Sequence, residues 1–262
     1  MIVDDPEIAG FISKQGVHRL FVDLEVNGKH KRQGHLDTVQ SVQTMDTVSR
    51  IRDGAPEGHL LVRINPFHDG TAAEVDEVIA HGADSIMLPM FHDYDTLAAF
   101  LDLLNDRIEA VPLFETVGSI AALPKIIEQL PISTLHFGLN DLSLERGDKM
   151  IFSPLAKDVL EDASQALKAK GIPFGIGGIA RVSEGKIPPE LLLGEHVRLG
   201  SSAAILSRSF HRQAKTLEEL KGVMNFETEI AKLLRIYESF RAGTEDHLEA
   251  NKIAFKEAVA AL

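Results

Sequence analysis

Three short apolar runs of the chain end in polar or charged residues. Arg63 closes the run in LLVRINP, Glu115 stands in AVPLFET, and Asn140 and Asp141 follow LHFGL. A carboxylate at the end of an apolar strand is costly to desolvate unless a cation or hydrogen-bond donors compensate it. Two such carboxylates brought together repel each other. A hard divalent cation such as Mg²⁺ or Mn²⁺ answers that repulsion with oxygen ligands and retained waters. The chain has no cysteine, so a metal site here draws only on Asp, Glu and His. Glu115 and Asp141 are therefore the candidate metal ligands. The alternative is that Glu115 pairs with Arg63 while Asp141 caps a helix.

These residues need strands to carry them, and the sequence supplies a series of short β-branched apolar runs separated by segments of helical spacing, the pattern of repeated βα units and a parallel sheet. Eight runs are expected as strands: Met1–Asp4, Arg19–Leu24, Leu60–Ile64, Ser85–Leu88, Ala110–Glu115, Thr134–Gly138, Phe174–Gly178 and Val197–Ser201. Eight parallel strands imply an α/β fold, a (β/α)₈ TIM barrel, whose chemistry sits at the C-terminal ends of the strands. Helices are expected at Pro6–Gln15, Thr44–Arg52, Thr71–His81, Tyr94–Asn105, Ser119–Gln129 and Pro154–Lys170. Asp5 before Pro6 and Ser153 before Pro154 have the form of N-caps, and Gly16, Gly82 and Gly171 stand where helices should stop. We expect one barrel domain over residues 1–215 and a helical extension over 216–262. Its apolar stripe (Leu217, Leu220, Val223, Ile230, Leu233, Leu234, Tyr237) must bury against this barrel or a neighbouring one.

Composition narrows the function. A formal charge of −12 repels phosphate backbones and acidic membranes, which argues against nucleic acid and membrane partners. The opening residues MIVDDPEIAG lack the basic start and apolar run of a signal peptide, and no stretch of about 18 apolar residues occurs, so a cytoplasmic enzyme is expected. The polar segment GKHKRQGHLD, residues 28–37, follows the second run and is a candidate lid. His30 and His35 within it are candidate general bases, because an imidazole titrates near neutrality. Asp23 and Glu25, at the end of the second run, are expected to hold metal-bound water or to order that loop. The alternative is internal hydrogen bonding to Arg19 or a loop N–H. After the last two runs, FGIGGIAR and HVRLGSSAAILSRSF offer glycine, serine, Arg181 and Arg208 to a second acidic group or phosphate, or else pack tightly against the barrel.

The motifs FVDLE, VRINP, GADSIMLPMF, LFET and FGLNDLS, in that order between Asp5 and Ser209, resemble the HpcH/HpaI aldolase and citrate lyase β-subunit group of the phosphoenolpyruvate/pyruvate barrels. The resemblance implies that Glu115 and Asp141 bind Mg²⁺ or Mn²⁺ and that Arg63 contacts the oxo oxygen of a pyruvate-like acid. It also implies that the backbone from Gly138 through Asn140 and Asp141 receives the carboxylate, and that a terminal helix packs on a neighbouring subunit of a homo-oligomer. Two positions depart from the family pattern. Val26 follows Glu25 where the pyruvate aldolases place a histidine, and Leu113 stands where they carry a glutamine two residues before the metal-binding glutamate.

The expected function is a metal-dependent carbon–carbon lyase acting on a hydroxy-oxo-acid through a metal-stabilised enolate. Two alternatives remain open: a lyase of the citrate lyase β type acting on a CoA thioester, and an oxo-acid-binding barrel that has lost turnover.

Overall fold

The computed structural model describes residues 1–27, 43–207, 210–211 and 214–262, so the candidate lid with His30 and His35, and also Arg208, lie outside the described residues. Seven parallel strands are hydrogen-bonded side by side in sequence order. They are β1 (Arg19–Asp23), β2 (His59–Arg63), β3 (Ser85–Leu88), β4 (Glu109–Phe114), β5 (Leu135–Phe137), β6 (Phe174–Ile179) and β7 (Ala203–Leu206). Helix α1 (Pro6–Ile12) precedes β1. Between the strands run α2 (Met45–Gly54), α3 (Thr71–Ala80), α4 (Tyr94–Leu104), α5 (Val117–Gln129), then α6 (Leu139–Glu145), α7 (Ser153–Ala156) and α8 (Glu161–Lys170), and finally α9 (Pro189–Leu199). Among the described residues no helix is long and apolar enough to cross a membrane.

Alternation along the strands divides the core in two, as a two-residue repeat requires. Leu20, Val22, Leu60, Val62, Ile86 and Leu88 belong to the large cluster between sheet and helices. Their neighbours Phe21, Leu61, Met87, Val111 and Leu113 form a separate, smaller cluster on the inner face of the curled sheet. On the outer face four rings run in a row from Phe91 through Phe114 and Phe137 to Phe174, with centroids 5.0, 5.9 and 5.7 Å apart. Edge-to-face and tilted contacts of this kind add to the area buried.

The closed eight-stranded barrel expected above is replaced, among the described residues, by this seven-stranded curled sheet. Met1–Asp4 contributes only an isolated bridge, Ile2 beside Phe21. Val197–Ser201 is not a strand. It is the end of α9, where Arg198 is held along the helix by Glu195 (2.9 Å) and across to α8 by Glu161 (2.8 Å). Gly200 closes that helix at φ +83°, a conformation glycine accepts without steric cost, and the true last strand begins three residues later. The helix expected over Pro154–Lys170 is also two helices, broken at Asp158 with φ +55°. Ser153 opens α7 rather than capping it, since the cap position falls on Phe152.

Other local expectations hold. Asp5 caps α1, its carboxylate accepting from the Ile8 N–H at 2.8 Å, with Pro6 at the first turn. Gly16, Gly82 and Gly171 all take positive φ at helix ends. The region after β7 is helical, with α10 (Leu217–Val223), α11 (Phe226–Arg241) and α12 (Glu245–Ala260). Both α11 and α12 pack on α9 of the same chain. Phe255 of α12 is fully buried against Phe152, and the Tyr237 hydroxyl of α11 donates to the Ser201 carbonyl at 3.1 Å.

Candidate functional site

Parallel register places Asp23 directly beside Arg63, so β1 and β2 deliver both side chains at the C-terminal end of the sheet. The Arg63 guanidinium grips Asp23 with two hydrogen bonds, Nε to Oδ1 at 2.9 Å and Nη2 to Oδ2 at 2.8 Å. Nη2 also lies 3.4 Å from Glu25 Oε2. The fork geometry of arginine suits this two-point hold. Arg19, the alternative partner considered for these acids, sits at the far end of β1 and pairs with Glu109 at 2.9 Å. Asp23 and Glu25 are both buried, and the Arg63 side chain is 15% exposed. Burial works against the Arg63 charge, but Asp23, Glu25 and Glu115 outweigh it and hold its pKa above the ordinary value. Arg63 Nη1 has no hydrogen-bond partner among the described residues, and the guanidinium stands 5.7 Å over the Phe21 ring.

Asn65, two residues past Arg63, braces the segment after β1. Its Oδ1 accepts from the Val26 and Asn27 N–H groups, both at 3.0 Å. Its own Nδ2 donates to Glu74 Oε1 on α3 at 2.8 Å. The VRINP motif pointed to Arg63 but gave no role to this asparagine.

Glu115 follows β4 directly and is 3% exposed. Its Oε1 accepts from the Met90 N–H at 3.2 Å, and Met90 holds φ +53° to present that donor. A non-glycine residue in that conformation stores strain, which native structures tolerate where the surroundings enforce it, commonly at functional sites. The neighbouring Thr116 caps α5 and ties the same loop through its hydroxyl to the Phe91 carbonyl at 2.7 Å. Neither Met90 nor Thr116 was singled out from the sequence, although both lie inside the quoted motifs.

Asp141 lies in the first turn of α6, buried, and the cap of that helix is Gly138. The alternative that Asp141 serves as the cap is therefore not what the backbone shows. Gly138 is the point of closest approach: a Cβ there would come within 2.7 Å of both Cβ and Oε2 of Glu115. The missing side chain lets the strand-end glutamate lie against the turn that carries Asn140 and Asp141. The Glu115 carboxyl is pushed up to about 8 by burial, further raised by Asp141 and Glu25 and opposed by Arg63 and the Met90 hydrogen bond. Glu115, Asp141, Glu25 and Arg63 thus share one neighbourhood.

These residues fit a hard divalent cation. Glu115 and Asp141 offer oxygen donors only, Gly138 keeps a side chain out from between them, and the acids around Glu115 disfavour its negative charge until a cation arrives. Among the described residues no group of three or more Asp, Glu, His or Cys is placed to hold a metal. A site with two protein carboxylates leaves its other positions to water and substrate, as Mg²⁺ commonly does.

Arg181 lies apart from this cluster in its bonding. It is buried after β6, with Nε and Nη2 both donating to Glu184 at 3.2 and 2.7 Å.

No sequence-family model matches the chain, and no curated protein does. Solved structures do share its fold. An HpcH/HpaI aldolase from Desulfitobacterium hafniense DCB-2 superposes with a TM-score of 0.61 at 17% identity, over 85% of this chain and 90% of that one. An HpcH/HpaI aldolase/citrate lyase family protein from Burkholderia cenocepacia J2315 gives 0.64 at 14% identity, over 85% and 93%. Macrophomate synthase gives 0.57 at 13% identity, over 86% and 85%. The family named from the motifs is thus among those whose solved structures have this fold.

Proposed function

We propose that this chain binds a small 2-oxo acid beside a divalent cation held by Glu115 and Asp141, and acts as a carbon–carbon lyase of the pyruvate aldolase type. The observation that carries this reading is the Arg63 arrangement. Asp23 fixes the guanidinium through two of its nitrogens, Nη1 keeps no hydrogen-bond partner among the described residues, and the buried Glu115 lies within electrostatic reach of the arginine. A bound Mg²⁺ or Mn²⁺ supplies Lewis-acid polarisation of the substrate's oxygens. Arg63 Nη1 donates to the oxo oxygen, where negative charge grows as the adjacent carbon loses a proton or a carbon–carbon bond. A donor set in place beforehand stabilises that charge with little reorganisation. The N–H groups at the start of α6, around Asn140, orient the substrate carboxylate. Asn65 keeps the 25–27 backbone, and with it Glu25, at a fixed distance from Arg63.

A second reading, binding without turnover, is favoured by one specific observation. Val26 is half exposed where the aldolases place their histidine, and no imidazole stands at that position. One experiment separates the two. Proton exchange at the methyl group of pyruvate is followed by NMR with Mn²⁺ present, with and without the protein. Exchange well above that of metal in buffer, abolished in Glu115→Ala and Asp141→Ala, supports the lyase reading. Saturable pyruvate binding with exchange no faster than metal alone supports the second. No metal-dependent pyruvate binding at all overturns both.

A further inference from the structure

The inner face of the sheet is filled on one side only. β1 to β4 project Phe21, Leu61, Met87, Val111 and Leu113 into it, with Ile205 of β7 packed against them, whereas the paired positions Gly175 of β6 and Ala203 of β7 leave room. What remains is a cavity of about 570 Å³ that opens at the N-terminal end of the strands, with Leu234 and Tyr237 of α11 along its rim. Barrel interiors of this size are ordinarily filled by side chains or occupied by one small ligand. The volume falls in the range of small-molecule sites.

Two buried imidazoles line this space, and one is incomplete. His136 donates from Nε2 to the Gly177 carbonyl at 3.1 Å, which leaves its Nδ1 as a bare acceptor. Gly175 is glycine for its sake, since a Cβ there would collide with the His136 ring. On α9, His196 is 3% exposed, with Nδ1 at 3.0 Å from the Ser201 hydroxyl and no partner for Nε2. His196 Nε2 has almost no accessible surface and so does not open onto the cavity, whereas His136 Nδ1 stands over Gly175 on the inner face. Burial holds both rings neutral, His136 down to about 4 and His196 to about 3. The nearest arginine, Arg19, is committed to Glu109. Among the described residues that line the cavity, Arg19 is the only arginine or lysine.

We propose that this cavity is a second binding site, separate from the metal site, for a small uncharged apolar molecule bearing a hydroxyl group that donates to His136 Nδ1. The Nε2 bond to the Gly177 carbonyl fixes the tautomer, so Nδ1 can only accept, and a hydroxyl supplies the donor. Aliphatic and aromatic walls take the rest of the molecule. The proposal does not depend on the metal site or its chemistry.

The test uses the whole protein with its methionine methyl groups labelled with carbon-13. Met87 lines the cavity, while Met90 sits beside Glu115 and reports on the opposite end. Phenol, toluene and benzoate serve as probes of nearly one shape. Phenol should shift the Met87 methyl saturably and leave Met90 unmoved, and benzoate should do neither. His136→Leu should weaken phenol about tenfold, the worth of one buried hydrogen bond, and leave toluene unchanged. Ala203→Phe, which fills the cavity from its exposed strand end, should abolish binding of both. The proposal is overturned if phenol gives no saturable Met87 shift, if benzoate binds as well as phenol, or if Ala203→Phe leaves phenol affinity intact. It is also overturned if the Met87 shift follows protein concentration rather than probe, which would assign the cavity to a second copy of the chain.

Discussion

The two ends of the same strands handle charge in opposite ways. At the N-terminal end Arg19 pairs with Glu109 and Arg52 with Asp84, and the Arg19 pair is about one-third exposed on both sides. Pairs of that kind gain little because water already solvates both partners. At the C-terminal end Asp23, Glu25, Glu115 and Asp141 are all buried, and the arginine among them is fixed by Asp23. Folding alone gives no reason to bury acids beside one another, since hydrophobic residues of similar size cost less. The difference marks the C-terminal end as the place where stability is given up, as the proposed function requires, and each variant below tests that contrast.

The largest effect should come from Arg63→Ala. Pyruvate methyl exchange should fall at least about a hundredfold, the usual loss for one fixed oxyanion donor. Urea titration should show a stability loss of about 3–5 kcal/mol, because Asp23 is left as a buried charge without its arginine. Arg63→Lys should recover little of either, since a point charge cannot reproduce the two-point hold. Retained exchange in either variant would break the contrast at its centre.

Next in size is Gly138→Ala. The added Cβ meets the Cβ of Glu115, so Mn²⁺ affinity measured by water-proton relaxation should drop about tenfold or more, with a stability loss of about 1–3 kcal/mol in urea titration.

The pH dependence should run in opposite directions at the two ends. Glu115 is raised from its ordinary 4.5 to about 8, so in chelator the folded state keeps a proton that the unfolded chain has released between those values. Its contribution to stability is therefore lost as pH rises through that window, and Glu115→Gln should flatten this slope in denaturant titrations. Mg²⁺ should stabilise the natural protein and not that variant. His136 and His196 are lowered from 6.5 to about 4 and 3, so their contribution is present above 6.5 and lost as pH falls toward those values.

The smallest effect should be that of Arg19→Ala. Its pair at the N-terminal end should be worth about 1 kcal/mol or less, with no change in pyruvate exchange. A large loss of exchange would mean that the two ends are not separable.

Much of the C-terminal site was legible because a charged residue that ends an apolar run is a local signal, visible at Arg63, Glu115 and Asp141. The hold of Arg63 on Asp23 was not, because it depends on the lateral register of β1 against β2, and no single run of sequence records it. Asn65 and Met90 escaped for related reasons. One works through backbone N–H groups, and the other through a left-handed φ that methionine does not advertise. The last strand was misplaced because Val197–Leu199 has the β-branched look of a strand. The stop signal at Gly200 and the run of ion pairs along α9 mark it as helix. The GIGG stretch had been weighed as tight packing or an anion site. At Gly175 it is tight packing, the missing side chain making room for the His136 imidazole, which only the pairing of β5 with β6 reveals.

The row of phenylalanine rings behind the sheet also bears on the site in front of it. Phe114 immediately precedes Glu115, and Phe137 immediately precedes Gly138, so the spacing of the two candidate metal-ligand segments is gauged by rings packed on the outer face. Trimming one of them, as in Phe137→Leu, should detune the grip on the ion well before the chain melts. In this molecule the calibration of the front is kept at the back.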